Sequence, residues 1–401
     1  MKILFISNGH GEDAIGAHLA KTMTELQPGL ELEAVPIVGR GNPYEHAGVR
    51  VLGPRWNPPS GGFTYTSLSH FKKDWQDGLR QKTHEQHWAV RNAKADVVMV
   101  VGDVYALWVT FSFAFKEAKP RVFQYQPLVS RYYQDGMNTT DKLERSSRVT
   151  VDSFVLPERC YMQRVEKVFA RDERSAAWLR ELGVPHAQFA GNIMMDLLTP
   201  ELELQTVLDG RPVLALLPGT RNDYLFSLPI MLETAALLPE LQSFAALSNN
   251  LDALELPTGW VWTTQMLADN LTQVARHTSG IQVPMLEPGF AALLHAASVV
   301  LGTSGTGNEQ AVGLGKPVIG FPTTGPQYLE SFAKAQKRLL GAGLTLSTPN
   351  PEALARAVRA VHQDSDHQEQ VRKAGLERMG LPGGAKRIAL EILSALKTKK
   401  K

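Results

Sequence analysis

The stretch VVLGTSGTGNEQAVGLGKPVIGF, from Val299 to Phe321, leaves the chain few ways to fold. Val299, Val300 and Leu301 read as a buried strand and Gly302 to Gly307 as a glycine-rich turn. A helix is expected to open near Asn308 and to stop at Gly313 and Gly315, before a second apolar strand from Pro317. Such a strand, turn and helix suits an anion: unpaired N–H groups and the positive end of the helix dipole attract it, and small residues let it approach the backbone. A ligand-free β-to-α turn uses the same residue types, so this stretch alone leaves the ligand open.

The same pattern begins at the N-terminus. MKILFIS reads as a parallel-sheet strand, and NGHGEDAIGAHLAKTM as a glycine turn entering a helix whose apolar positions Ile15, Leu19 and Met23 recur at three- and four-residue spacing. Further strands are expected at LELEAVPIV, VRVLG, ADVVMVVGD, RVFQYQ, SFVLP, KVFA and AQFAGN, with short helical content in GRGNPYEHAG and a helix near Gln76 to Asn92. Asp103 ends ADVVMVVGD, at the strand end where parallel sheets bind ligands. DERSAAWLRELG reads as a helix capped by Asp172 and stopped at Gly183.

From Asp196 to Gly210 the composition is that of a connection, after which RPVLALLPGTR restarts the series. Strands follow at SFAALS, WVWTT, IQVP, SVVLGT and PVIGF, with a helix at PIMLETAALLPEL and three amphipathic helices near the end. The expectation is an α/β chain of two Rossmann-like, doubly wound domains. They occupy residues 1–200 and 201–380, followed by a C-terminal helix and basic tail at 381–401.

Composition narrows the function. A chain of 401 residues with 43% hydrophobic and 20% charged residues is ordinary globular material, and a net charge of +2 lacks the basic excess of a nucleic-acid binder. One cysteine, Cys160, allows neither a disulfide framework nor a multi-cysteine metal site and fits a reducing cytoplasm. His84, His87, His277 and His295 show no metal-ligand spacing, so no metal is expected. The apolar run at the N-terminus is too short for a signal-peptide core, and VYALWVTFSFAF at residues 104–115 falls short of a bilayer span. The irregular segment from Arg55 to Trp75 mixes aromatic and basic residues. Trp56, Phe63, Tyr65, Phe71, Lys72 and Lys73 there suit a peripheral membrane contact, or a loop folded back on the core. The terminal KTKKK reads as a solvated tail.

Two glycine turns at strand ends, NGHGED (Gly9, His10, Gly11, Glu12, Asp13) and GTSGTGNEQ (Ser304, Gly305, Thr306, Gly307, Asn308, Glu309, Gln310), would face each other across an interdomain cleft. LLPGTRND adds Gly219, Thr220 and Arg221, whose guanidinium suits a diphosphate. FPTTGPQ adds Thr323, Thr324 and Gln327, as sugar-hydroxyl partners or as a plain ST turn.

With these motifs in order, the chain resembles the lipid-A-disaccharide synthase family from about residue 3 to residue 340. LLPGTR and SGTGNEQAVGLGKP are similar to its LLPGSR and SGT-containing turns. HGEDAIGAH matches its D-x-x-G-A start through Asp13, Gly16 and Ala17, GRGNPYEHAGV its second turn, and FAGNIMMD its F-x-G-x-x-M-x-D junction. The resemblance implies a GT-B fold, an acceptor lipid bound mainly by the first domain, a UDP-sugar bound mainly by the second, and inverting transfer without a required metal or cofactor. It assigns Arg221 and Ser304 to Asn308 to the departing diphosphate. Registering its turn on Lys316 and Pro317 puts Gln310 where its glutamate usually stands, with Glu309 adjacent. Its G-x-D-x-P-D-F-N run is shortened to GDVYALW, which keeps Asp103, and its aromatic serine-proline segment is replaced by QPLVSRYYQDG. For the general base three candidates stand: His10, placed like a histidine of the related lipid II and galactolipid glycosyltransferases, Asp103, at the family's own position, and the pair Glu12 and Asp13. Glu12 and Asp13 fit capping or support of the turn.

The expected function is sugar transfer from a UDP-sugar to a lipid or glycolipid, in the cytoplasm or at the inner face of its membrane. A UDP-sugar 2-epimerase of the same fold and a non-catalytic nucleotide-sugar binder are the rivals.

Overall fold

The computed structural model describes residues 1–59, 68–112, 119–137, 153–219, 222–247, 251, 253–267 and 270–398, apart from the side chains of His10, residues 68–70 and residue 398. The described chain forms two compact units. Met1–Asp196 joins the C-terminal residues from Pro382 in one, and Leu197–Leu381 forms the other.

The first unit carries β1 (Lys2–Ser7), β2 (Glu31–Pro36), β3 (Arg50–Val51), β4 (Val97–Val101), β5 (Arg121–Gln126), β6 (Lys167–Ala170) and β7 (Ala187–Gln188) in the order β3-β2-β1-β4-β5-β6-β7. All neighbours are parallel. The central strands are apolar on both faces because helices cover both: β4 is buried at every residue, and Ile15, Leu19 and Met23 of helix His10–Leu26 are buried as their spacing requires. Each such side chain contributes on the order of 1.5–3 kcal/mol by leaving water.

Two expectations change here. SFVLP forms no strand: residues 153–155 lead into helix Leu156–Met162, where Pro157 lies in the first turn and its missing N–H costs nothing. The helix expected near Gln76 to Asn92 is present as Leu79–Asn92, opening after Gly78 with φ 95°, whereas part of the segment read as irregular, Arg55 to Trp75, forms a further helix, Leu68–Gln76.

The last helix, Gly384–Thr398, returns to the first unit. Asp196 receives the N–H groups of Gly383 and, at 2.7 Å, Ala385, so it caps that helix from the end of FAGNIMMD. Arg387 donates to the Ala190 carbonyl at 2.7 Å, and Lys167 pairs with Glu391 at 2.6 Å.

The second unit carries β8 (Val213–Leu217), β9 (Gln242–Ala246), β10 (Trp260–Leu267), β11 (Asn270–His277), β12 (Gln282–Leu286), β13 (Ala297–Gly302), β14 (Val318–Gly320) and β15 (Leu344–Leu346). The order is β10-β11-β12-β9-β8-β13-β14-β15. Its strands are parallel from β12 to β15, while β10 and β11 extend one edge as an antiparallel hairpin pair. Among the described residues no helix is long and apolar enough to cross a membrane.

Candidate functional site

In the first sheet the chain runs outward from β1 to β2 and β3, then returns to place β4 on the other side of β1. The crevice at the carboxyl ends of β1 and β4 is where a doubly wound sheet binds ligands. Asn8, just after β1, and Asp103, just after β4, meet there. Asn8 Nδ2 donates to Asp103 Oδ1 at 2.6 Å, and the Asp103 N–H donates to Asn8 Oδ1 at 3.3 Å. Asp103 Oδ1 also accepts the Tyr105 N–H at 2.9 Å, capping helix Val104–Ser112. Burial raises the Asp103 pKa above the ordinary carboxylate value, against these hydrogen bonds, which lower it.

Gly9 precedes helix His10–Leu26, which carries no side-chain cap bond. Gly11 is exposed and Glu12 half-buried; the His10 side chain lies outside the described residues. Asp13 is 1% exposed and supports the turn from below: Ser7 Oγ donates to Asp13 Oδ1 at 2.5 Å, and the Tyr44 hydroxyl donates to Ser7 Oγ at 3.1 Å. Burial pushes the Asp13 pKa up to about 7.

A second buried acid, Glu158, is one the sequence did not single out. It is 2% exposed, accepts from Gln126 Nε2 at 2.6 Å, and is pushed up to about 8, chiefly by burial and then by the charge of Asp103. Both Asp13 and Glu158 therefore hold protons in the folded chain that the unfolded chain releases near pH 4. The stability they contribute is present below that value and is lost as pH rises through about 7 and about 8. The melting temperature should accordingly fall between pH 5.5 and 8.5, with up to about 1.4 kcal/mol per pH unit from each group. Asp13→Asn and Glu158→Gln should each flatten that dependence, which thermal melts across the range would measure.

The second sheet repeats the arrangement. From β8 the chain goes outward to β9, then crosses to β13 on the other side of β8, so the crevice lies between the β8 and β13 ends. The Thr303 N–H donates to the Leu217 carbonyl at 2.9 Å and sets the two turns side by side. Gly219, with φ 85°, begins the β8 turn; Thr220 and Arg221 lie outside the described residues.

The helix after β13 begins at Gly305, three residues before the expected Asn308, because Ser304 is its cap: Ser304 Oγ accepts the Gly307 N–H at 3.2 Å. Ser304 and Gly305 are half-buried and Thr306 is exposed. The small residues and helix N-terminus expected of an anion turn thus coincide at the crevice.

Asn308 does not belong with them as a ligand-facing side chain. It is fully buried beneath the turn, with Nδ2 donating to the Gly302 carbonyl at 3.1 Å, the Tyr328 hydroxyl at 3.2 Å and Gln336 Oε1 at 2.9 Å. Glu309 and Gln310 are also buried. In the loop after β14, Thr323 Oγ1 accepts the Gly325 N–H at 3.1 Å, the ST turn that needs no ligand, while Thr324 is exposed and Gln327 half-buried. Tyr328 joins the three loops: its hydroxyl meets Asn308 and Gln336, and its N–H donates to Asp223 Oδ1 at 2.9 Å. Sequence reading missed Tyr328, Gln336 and this role of Asp223.

Solved structures share this fold. The calicheamicin glycosyltransferase CalG4 aligns over 100% of this chain and 99% of its own at 16% identity and a TM-score of 0.63. The glycosyltransferase of kitacinnamycin aligns over 98% and 99% at 15% identity and a TM-score of 0.63. The UDP-GlcNAc 2-epimerase from Neisseria meningitidis, solved bound to UDP-GlcNAc, aligns over 98% and 100% at 16% identity and a TM-score of 0.58. No protein-family model and no curated protein sequence matches the chain. The chain therefore has the GT-B fold of two Rossmann-like α/β domains, an architecture common to glycosyltransferases and UDP-GlcNAc 2-epimerases.

Proposed function

We propose that this protein is an inverting, metal-independent glycosyltransferase that moves a sugar from a UDP-sugar to the hydroxyl of a lipid or glycolipid, with no cofactor. The observation that carries the donor half is the crevice between β8 and β13, where the Gly219 turn adjoins a serine-capped helix N-terminus. There the first N–H groups of helix Gly305–Gly313, with Arg221, would stabilise charge on the departing diphosphate. Asp103, which burial gives a raised proton affinity, would take the acceptor proton as its oxygen attacks the anomeric carbon and the bond to the diphosphate breaks.

The lipid half rests on the first unit's surface. Phe71 and Trp75 are 45% and 52% exposed, stack at 5.7 Å, and share helix Leu68–Gln76 with the exposed Lys72 and Lys73. Aromatic and lysine side chains on one short helix suit the headgroup region of an anionic bilayer, which would place the enzyme at the cytoplasmic face. Of the remaining expected contacts, Phe63 and Tyr65 lie outside the described residues, whereas Trp56 Nε1 donates to Asp77 at 2.6 Å.

Epimerisation at the sugar C2 is the second reading. It is favoured by the presence of a second acid, Glu158, that feels the charge of Asp103, both with raised pKa, and by the fold shared with a UDP-GlcNAc 2-epimerase. Incubation with UDP-N-acetylglucosamine separates the two. UDP release only when a lipid extract is added supports transfer; conversion to the 2-epimer without any acceptor supports epimerisation and rejects transfer.

A further inference from the structure

We propose that Asp223 is a positioning residue for the donor sugar, latching the loop from Phe321 to Tyr328 onto the turn that follows β8. The inference rests on the reading of the second unit as a UDP-sugar site. Asp223 is 1% exposed, and its Oδ1 accepts the N–H groups of Gln327 at 3.0 Å and Tyr328 at 2.9 Å, more than a hundred residues along the chain. The loop presses so closely that a Cβ built on Gly325 would lie 2.7 Å from that oxygen.

The other end of the latch is equally fixed. The Asp223 carbonyl receives the N–H groups of Phe226 at 2.9 Å and Ser227 at 3.0 Å, and Ser227 Oγ donates to the Pro218 carbonyl at 2.9 Å. Asp223 is therefore tied to Pro218 and the turn that follows β8. Within the loop the Thr323 N–H donates to the Tyr328 carbonyl at 2.9 Å, so anchoring Tyr328 anchors Thr323 as well. The consequence is a fixed distance between the groups that would grip the diphosphate and the loop that would meet the sugar. Registering two parts of one ligand in this way lowers the ordering cost of binding the whole.

Oδ2 takes no part: it is buried and has no hydrogen-bond partner among the described residues. Asn at this position supplies the same Oδ1 acceptor, whereas Ala supplies none. The full-length chain and its Asp223→Ala and Asp223→Asn variants are titrated with UDP and with UDP-N-acetylglucosamine, and amide hydrogen exchange is followed at Gln327 and Tyr328.

Asp223→Ala should weaken UDP-N-acetylglucosamine binding by at least roughly tenfold and change UDP binding by less than about threefold. It should also expose the two amides to exchange, while Asp223→Asn restores both properties. Equal weakening of UDP and UDP-sugar, an Asp223→Ala variant that binds like the unmutated chain, or failure of Asp223→Asn to rescue would overturn the proposal. Unchanged exchange at the two amides sinks the latch alone. Lack of any UDP-sugar binding by the unmutated chain instead rejects the underlying reading, and the sugar assignment with it.

Discussion

Asp103→Asn is expected to lower the rate of sugar transfer by about 10²–10⁴-fold while leaving the melting temperature nearly unchanged. The asymmetry follows from the two tasks that the proposed mechanism gives this one carboxyl group. Oδ1 is structural, accepting from Asn8 Nδ2 at 2.6 Å and from the Tyr105 N–H at 2.9 Å, and an asparagine oxygen meets both donors. Proton uptake is chemical, and an amide has none to offer near neutral pH. Because burial raises the Asp103 pKa, the unmutated enzyme should lose activity on the acid side at a higher pH than an ordinary aspartate would give. His10→Ala is the necessary comparison. A full rate in Asp103→Asn together with an inactive His10→Ala would transfer the role of base to the histidine.

Gly302→Ala is expected to destabilise the second unit by about 3 kcal/mol and to abolish nucleotide binding. The new methyl carbon would stand 2.0 Å from Asn308 Oδ1 and 3.0 Å from its Cγ. Asn308 has nowhere to retreat, being fully buried and bonded through Nδ2 to the Gly302 carbonyl, the Tyr328 hydroxyl and Gln336. Moving it leaves buried polar groups without partners, each costing roughly 1–3 kcal/mol, in addition to overpacking. For a unit of this size the loss corresponds to a fall of roughly 6–12 °C in melting temperature. Calorimetry and a UDP titration measure the two consequences separately. A variant that melts and binds normally would mean that Asn308 is not the keystone of the turn.

Much of the architecture was legible because its residues declare it locally. β4 is a run of buried apolar residues ending at Gly102 and Asp103, and the helix that begins after Asp172 carries its own cap: Asp172 accepts the Ser175 N–H at 2.7 Å. β11 was not legible, since NLTQVARH is polar on much of one face and pairs within an antiparallel extension near the sheet edge. β15, three residues long, carries too little pattern to read. Strand order was the larger gap. Nothing local to Asn8 or Asp103 announces that β1 and β4 are neighbours, yet that adjacency brings the two side chains together.

The site divides along the same line. The order strand, turn and helix around Ser304 was legible because the three are contiguous in sequence, although Gly305 and Gly307, expected in the turn, already belong to the helix that Ser304 caps. Asn308 looked like part of the same ligand surface, but helical geometry turns it toward Tyr328 and Gln336, residues in other segments. Asp223 was visible only as the end of a turn until the fold set it against Gln327 and Tyr328. Hydrogen bonds between remote segments leave no periodic trace, whereas caps and apolar runs do.

The central claim is that the turn between β13 and helix Gly305–Gly313 holds the diphosphate of a UDP-sugar. Its most direct test is hydrogen exchange at single-residue resolution during a titration with UDP-N-acetylglucosamine. Saturable protection of the Gly305 and Thr306 amides, reproduced by UDP and absent with uridine, is the result this account predicts. Protection elsewhere with none at these amides, or no saturable binding of any UDP-sugar, would contradict it.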